Sequence, residues 1–135
     1  DFRNLVNYQD EYEPLAARYS VGQQSNFVLM PMLEAAFQQI YHWQPQRIQD
    51  YCQQLNQPYL EELISRGFNI LPESQRGHHL VGLGLPAGVE IKKLQEKLAA
   101  RKIMVSVRGN SIRVAPNVYN NSLDWERLMM VLRDI

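Results

Sequence analysis

The stretch Val105–Asn120, which reads VSVRGNSIRVAPNVYN, carries the strongest structural signal in this chain. Apolar and polar residues alternate on both sides of the Gly109-Asn110 pair. This is the pattern of a β-hairpin whose two-residue turn opens with glycine. Pairing across that turn places Val107 opposite Ile112, so the hairpin has one apolar face and one polar face.

The polar face of this hairpin would carry two arginines, Arg108 opposite Ser111 and Arg113 opposite Ser106. An arginine held on rigid backbone beside a hydroxyl group suits a planar anion such as a carboxylate, which a guanidinium can bind through two parallel hydrogen bonds. The alternative interpretation is structural, because charged side chains also occupy the solvent face of an ordinary antiparallel sheet. The hairpin pattern alone leaves both interpretations open.

The rest of the chain reads as helices followed by mixed helix and strand. Pro31 suits the first turn of a helix that ends near Trp43, and Pro45 begins a second helix that Gly67 would cap. The elements predicted after it are a strand over His79–Leu85, an amphipathic helix over Val89–Lys102, the hairpin and a last helix from Ser122. This order predicts an α+β fold, with a small antiparallel or mixed sheet of about three strands and helices packed on one face.

Composition fits a single globular domain and excludes several kinds of partner. At 135 residues the chain can bury one core. Fourteen basic residues balance fourteen acidic ones, so no nucleic acid or anionic membrane partner is expected. There is no apolar run long enough to span a membrane. Cys52, the single cysteine, cannot form an internal disulfide, which agrees with a reducing, cytoplasmic setting.

The end of the chain resembles the closing segment of a known enzyme family. The matching residues are Ile112-Arg113-Val114-Ala115-Pro116, then Val118-Tyr119-Asn120, then the helical stretch from Leu123. They are similar to the C-terminal small domain of class V, fold-type I pyridoxal-phosphate-dependent enzymes, the aminotransferases related to kynureninase and cysteine desulfurase. The order of elements is similar from about Arg18 to the end, and the likeness is specific only in the closing block.

This resemblance implies a function and a set of site residues. In the family, the arginine at the position of Arg113 holds the α-carboxylate of the amino acid substrate. A loop that crosses the dimer interface helps to bind the phosphate of pyridoxal phosphate in the neighbouring subunit, and Ser25, with Asn26 as second choice, stands in its place here. Either residue could instead simply cap the helix that follows. The implied protein is a cytoplasmic homodimeric aminotransferase with amino acid and keto acid substrates.

Other parts of a pyridoxal-phosphate enzyme are missing from this sequence. Such an enzyme needs a lysine that forms a Schiff base with the cofactor. The lysines are Lys92, Lys93, Lys97 and Lys102, all on one solvated helix or at its end, and no glycine-rich phosphate loop is present. We therefore expect residues 1–26 to be a lead-in from a large domain and residues 27–135 to be the small domain. Alone, this chain would contain no catalytic residue and would be inactive.

Two alternative functions remain open at this point. A self-contained, non-enzymatic α+β module that binds a ligand or a protein would bury Phe27, Met30, Phe37 and Trp43 in its own core. The small-domain interpretation leaves part of that apolar surface exposed. A kynureninase-type hydrolase, or an epimerase or lyase of the same family, would differ from an aminotransferase in residues outside this chain.

Cysteine and histidine offer weaker candidates. Cys52 lies on the apolar stripe of a helix, which indicates a buried structural thiol and not a nucleophile. His78 and His79 are adjacent at the entry to a strand, so their side chains point to opposite faces and cannot converge on one metal ion. Arg76-Gly77-His78-His79 is similar to the catalytic loop of cysteine desulfurases, but it precedes a different strand and no cysteine follows it. This departure argues against desulfurase activity.

Overall fold

The structure, a computed structural model, describes residues 10–19 and 26–135. Its contacts divide the chain into two units, Asp1–Gln39 and Ile40–Ile135, and each is described by itself. The described part of the first unit contains a short 3-10 helix, Leu15–Tyr19, and most of helix α1, Leu29–Trp43. Neither of these helices has a buried residue.

Helix α2, Pro45–Ser65, begins and ends where local signals predict. Proline occupies its first position, where the missing N–H costs nothing. Gly67 adopts φ +88°, a left-handed conformation that glycine accepts without strain, and the N–H of Phe68 then donates to the carbonyl of Leu63 at 3.1 Å. Pro58 lies inside α2 without ending it, although a proline in a helix interior removes one backbone hydrogen bond.

The sheet consists of β1 (Val81–Gly84), β2 (Ser106–Arg108) and β3 (Ser111–Val114). The strand order is β1-β3-β2 and both pairings are antiparallel, so β3 is the central strand. Helix α3 (Ile91–Ala100) connects β1 to β2, and helix α4 (Ser122–Leu132) follows β3. The predicted α+β class, with helices packed on a small three-stranded sheet, is confirmed.

The hairpin forms in the predicted register. Val107 pairs with Ile112, and the two arginine–serine pairs of the polar face are also formed. Gly109 opens the turn with φ +56°, whereas Asn110 is not among the residues with positive φ. Positive φ at the first turn residue alone is typical of a type II′ turn, in which glycine is the preferred residue at that position.

Strand β1 is shorter than the predicted His79–Leu85, since its pairing with β3 runs only from Val81 to Gly84. Gln49 on α2 accepts a hydrogen bond from the backbone N–H of His78 at 2.9 Å and bonds to the ring Nδ1 of His79 at 2.7 Å. These contacts fix the segment that precedes β1, and pairing with β3 begins at Val81.

Helix α3 is likewise shorter than the predicted Val89–Lys102. Glu90 is extended and precedes the first helical turn. Lys102 adopts φ +57°, which ends the helix at Ala100 in the way that a glycine usually does.

Helix α4 supplies much of the core through the side chains of its inward face. Trp125, Leu128, Met129 and Leu132 are all buried. The side chain of Asn121 caps the helix by accepting the N–H of Leu123 at 2.9 Å. The core continues through Leu60 and Leu63 of α2, Leu94 and Leu98 of α3, and Val81, Leu83 and Ile112 of the sheet. Because these strand residues all lie on one side of the sheet, its other side is left for polar residues.

Candidate anion-binding site

The paired positions on the side of the sheet opposite the core, called the open face below, are glycines, serines and arginines, with one asparagine joined by a bridge. The strand register arranges them in two rows that run across the strands. One row consists of Gly82, Arg113 and Ser106. The other consists of Gly84, Ser111 and Arg108, extended by a bridge from Asn69 to Gly84. No acidic or apolar residue belongs to either row, so this surface is cationic.

Arg113 lies at the centre of the open face. It belongs to the middle strand, whose backbone is hydrogen-bonded on both sides, and its strand neighbours Ile112 and Val114 point to the core. The residue is half-buried, and with the described part of the chain it makes no ion pair. A guanidinium held on rigid backbone without a carboxylate partner keeps its donors available for an anion.

Gly82 gives access to Arg113 from the side of β1. It is exposed, its φ is not in the left-handed region, and a Cβ built on it would meet no atom within 4 Å. Neither backbone conformation nor packing therefore requires glycine at this position. A glycine inside a strand weakens it, and one without a structural reason often marks the close approach of a ligand.

Arg108 extends the cationic surface toward the edge of the sheet. It is exposed, and its Nη1 donates to the backbone carbonyl of Val107 at 2.8 Å. This acceptor is neutral and belongs to edge strand β2. Arg108 thus has no carboxylate partner among the described residues, and an incoming anion would be a stronger acceptor than this carbonyl.

Arg113 does not line any of three concave regions in the described part of the chain. A cavity of about 130 Å³ lies beyond the end of the hairpin, where Val114, Pro116 and Trp125 contribute to its wall. Larger depressions of about 530 Å³ and 260 Å³ lie around Trp43 and around Arg76. The open face belongs to none of these three regions, and a small ligand on it would need a second surface to exclude water.

Of the two residues predicted to bind the cofactor, the structure describes only Asn26. Ser25 lies outside the described residues. The Oδ1 atom of Asn26 accepts the backbone N–H of Leu29 at 3.0 Å, and the Asn26 carbonyl accepts the N–H of Met30. Asn26 thus caps α1, which is the structural alternative to cofactor binding at this position. Its contact with a cofactor phosphate stays a prediction.

Cys52 and the two histidines have structural roles. Cys52 is fully buried, its Sγ–H donates to the carbonyl of Pro116 at 3.6 Å, and burial raises the pKa of its thiol. The prediction of a buried thiol is confirmed. His78 and His79 are held by Gln49 and by Glu73, whose Oε1 lies 3.5 Å from His78 Nε2. Within the described residues no three histidine, cysteine or carboxylate side chains are grouped as a metal site would require.

Three members of the open face, Gly82, Gly84 and Asn69, were missed by sequence reasoning. The alternation of small residues in β1 is visible in the sequence, but only the pairing of β1 with β3 places Gly82 beside Arg113. Asn69 joins the second row through a single isolated bridge, for which the sequence has no recognisable signal.

Comparison of the chain with known protein families, curated protein sequences and solved structures found no match. A function can therefore be inferred only from the geometry of the open face and from the resemblance of the closing segment. Within the described residues, no helix combines the length and the apolar content that a membrane-spanning segment needs.

Proposed function

We propose that this chain is the small domain of a pyridoxal-phosphate-dependent enzyme of class V that acts on amino acids, most closely an aminotransferase. Arg113 binds the α-carboxylate of the substrate. The observation that carries this proposal is an arginine without an ion-pair partner among the described residues, on the central strand, beside a glycine that leaves the approach open. The proposal includes a cytoplasmic homodimer, as the resemblance implies.

The geometry suits a carboxylate for a specific chemical reason. The fork of a guanidinium matches the two oxygens of a carboxylate, so one arginine fixes both position and orientation. The neighbouring Ser106 offers a hydroxyl that can donate to the same anion. Fixing the carboxylate positions Cα of the substrate for proton loss, and such orientation contributes roughly 100-fold or more to a rate.

The residues of this chain do not by themselves fit a pyridoxal phosphate site. All four lysines are exposed, three of them on α3 and the fourth just beyond its end. An exposed lysine is neither desolvated nor activated as a nucleophile. The lysine that holds the cofactor, and the groups around it, would therefore belong to another part of the enzyme, and this chain contributes substrate binding.

Exposed apolar side chains favour a small domain over a self-contained module. Phe27 is 85% exposed, Met30 57%, Phe37 64% and Trp43 37%. A self-contained module would bury these residues, and apolar surface of this kind is typical of a site that another protein surface covers. A covering surface over the open face would also exclude water from Arg113.

The visible absorption spectrum of the full-length product of the gene that encodes this chain tests the proposed function. We expect a band typical of protein-bound pyridoxal phosphate, which shifts when an amino acid substrate is added. A colourless protein whose spectrum responds to no amino acid would contradict the proposal and would favour a non-enzymatic binding module.

The role of Arg113 is tested by substitution in that full-length protein. Arg113→Ala should raise the KM for amino acids by about tenfold or more, because a charge-assisted bidentate contact is lost, while cofactor absorbance stays unchanged. Arg113→Lys should have a smaller effect than Ala but should not restore the wild-type KM, since a point charge cannot reproduce the two-pronged contact.

Arg101→Ala is the matched control, because Arg101 is an exposed arginine just after α3 and away from the open face. Its kinetics should match those of the wild type. An Arg113→Ala variant with unchanged KM would refute the carboxylate assignment.

A further inference from the structure

The open face holds two cationic side chains in a fixed relation. Arg108 pairs with Ser111 and Arg113 pairs with Ser106, so the two arginines are diagonal neighbours across the β2–β3 ladder. Diagonal neighbours of this kind have Cα atoms about 7–8 Å apart, within reach of long side chains. Both arginines can therefore contact the same small molecule.

Among the described residues, no acidic side chain occupies a paired position of this face or forms an ion pair with either arginine. The positions that surround the pair are Gly82, Gly84, Asn69, Ser106 and Ser111. Surface arginines are commonly paired with carboxylates, as Arg66 and Arg133 are with Glu62 elsewhere in this protein. Two like charges on adjacent strands are unfavourable when nothing compensates them, and binding of a doubly anionic ligand would relieve this repulsion.

The glycines shape the same surface. A Cβ on Gly82 would meet nothing, so a ligand bound to Arg113 can lie directly over β1. Gly84 is different, because a Cβ there would come within 3.1 Å of Asn69. Glycine at this position therefore leaves room for the bridge between Asn69 and Gly84. The free space is thus on the Arg113 side, while Arg108 closes the other end of the surface with only a neutral carbonyl as its present partner among the described residues.

We infer that the substrate bound at the open face is an amino acid with a second acidic group on its side chain, which Arg108 binds while Arg113 holds the α-carboxylate. This inference rests on the proposed function and adds the substrate class to it. The shared chemistry is a second anionic group, which a short dicarboxylic amino acid or a phosphorylated amino acid would supply.

The test compares substrates that differ only in the charge of that second group. In the full-length protein, the concentration that gives half of the visible spectral shift is measured for aspartate against asparagine, glutamate against glutamine, and O-phosphoserine against serine. We expect the acidic member of at least one pair to bind about tenfold or more tightly, as a charge-assisted contact predicts. The pair with the largest ratio distinguishes a carboxylate from a phosphate.

Arg108→Gln locates the source of that preference. The variant should lose about tenfold in affinity for the acidic amino acid and less than about twofold for its neutral partner, because only the second contact is removed. Arg101→Gln, a change of the same kind away from the open face, should leave both values unchanged.

Gly82→Val provides a second variant that should preserve the fold, since the space above Gly82 is open and valine favours strands. It should weaken binding of acidic and neutral amino acids alike.

Failure of this inference differs from failure of the proposed function. Equal affinities for acidic and neutral amino acids, or an acidic preference that survives in Arg108→Gln, would overturn the second contact while leaving the proposed enzyme class standing. A protein whose spectrum responds to no amino acid would overturn both.

Discussion

Asn56 is a buried polar residue that joins three parts of the second unit. It lies on α2 and is 1% exposed. Its Oδ1 accepts the indole N–H of Trp125 at 2.9 Å, and its Nδ2 donates to the carbonyl of His78 at 2.6 Å. Tyr59, one turn further along α2, stacks on the same indole with ring centroids 5.2 Å apart. One amide thus satisfies a buried donor on α4 and a carbonyl near the start of β1.

We predict that Asn56→Ala destabilises the protein by about 2–4 kcal/mol, because the indole N–H and the His78 carbonyl each lose a buried partner at roughly 1–3 kcal/mol apiece. Denaturation in urea, followed by circular dichroism and by tryptophan fluorescence, measures the change. Gln54→Ala, at an exposed position on the same helix, should change stability by less than about 0.5 kcal/mol. Equal effects of the two substitutions would show that this network contributes nothing specific.

At the scale of elements, an ion-pair network joins α2 to the end of α4. Arg133 donates to both carboxylate oxygens of Glu62, from Nε at 2.8 Å and from Nη2 at 2.7 Å. Arg66 donates to the same carboxylate at 3.0 Å. These hydrogen bonds, those of Arg133 first, lower the pKa of Glu62 from its ordinary value of 4.5 to about 2.

This network predicts how stability depends on pH. Because the folded-state pKa of Glu62 is depressed, its stabilisation is present above the ordinary pKa of 4.5 and is lost as the pH falls toward about 2. Glu62→Gln should therefore have a lower melting temperature than the wild type at neutral pH, and the difference should shrink as the pH falls through that window.

Glu96→Gln is the control for this measurement, because Glu96 is exposed on α3 and makes no ion pair within the described chain. Its melting temperature should follow that of the wild type at each pH. The assigned role of Glu62 would be contradicted if the difference in melting temperature between Glu62→Gln and the wild type stayed constant from pH 7 to about pH 2.

At the scale of the whole molecule, all buried apolar residues of the described chain belong to the second unit. They run from Cys52 to Leu132 and include residues of α2, α3, α4 and the sheet. Since this unit contains its own core, it should fold without residues 1–39.

We predict that residues 40–135 alone form a folded domain whose melting temperature lies within about 5 °C of that of the whole chain. Circular dichroism in the near ultraviolet, which reports the packing of the aromatic side chains, and a thermal scan measure this. Deletion of residues 122–135 is the contrasting variant and should abolish cooperative unfolding, because it removes the buried face of α4. If residues 40–135 alone showed no cooperative unfolding transition, the assignment of the core to the second unit would be wrong.

Several elements could be predicted because the signals that determine them are local. Pro31 and Pro45 lie in the first turns of α1 and α2, and Gly67 adopts the left-handed conformation after α2. The hairpin register follows from the two-residue turn, which leaves one pairing that puts both Val107 and Ile112 on the apolar side. The amino-acid sequence alone therefore determines the side of the sheet on which Arg113 lies.

The remaining features depend on contacts between segments far apart in sequence. The position of β1 beside β3, the burial of Asn56 and the approach of Asn69 to Gly84 all arise from such contacts. Turn and cap chemistry acts over a few residues, whereas the choice of strand partner depends on how the helices fill the core. For this reason the amino-acid sequence was enough to assign Arg108 and Arg113 to one face of the hairpin. Their position beside Gly82 and Gly84 depends on the pairing of β1 with β3, which only the tertiary structure determines.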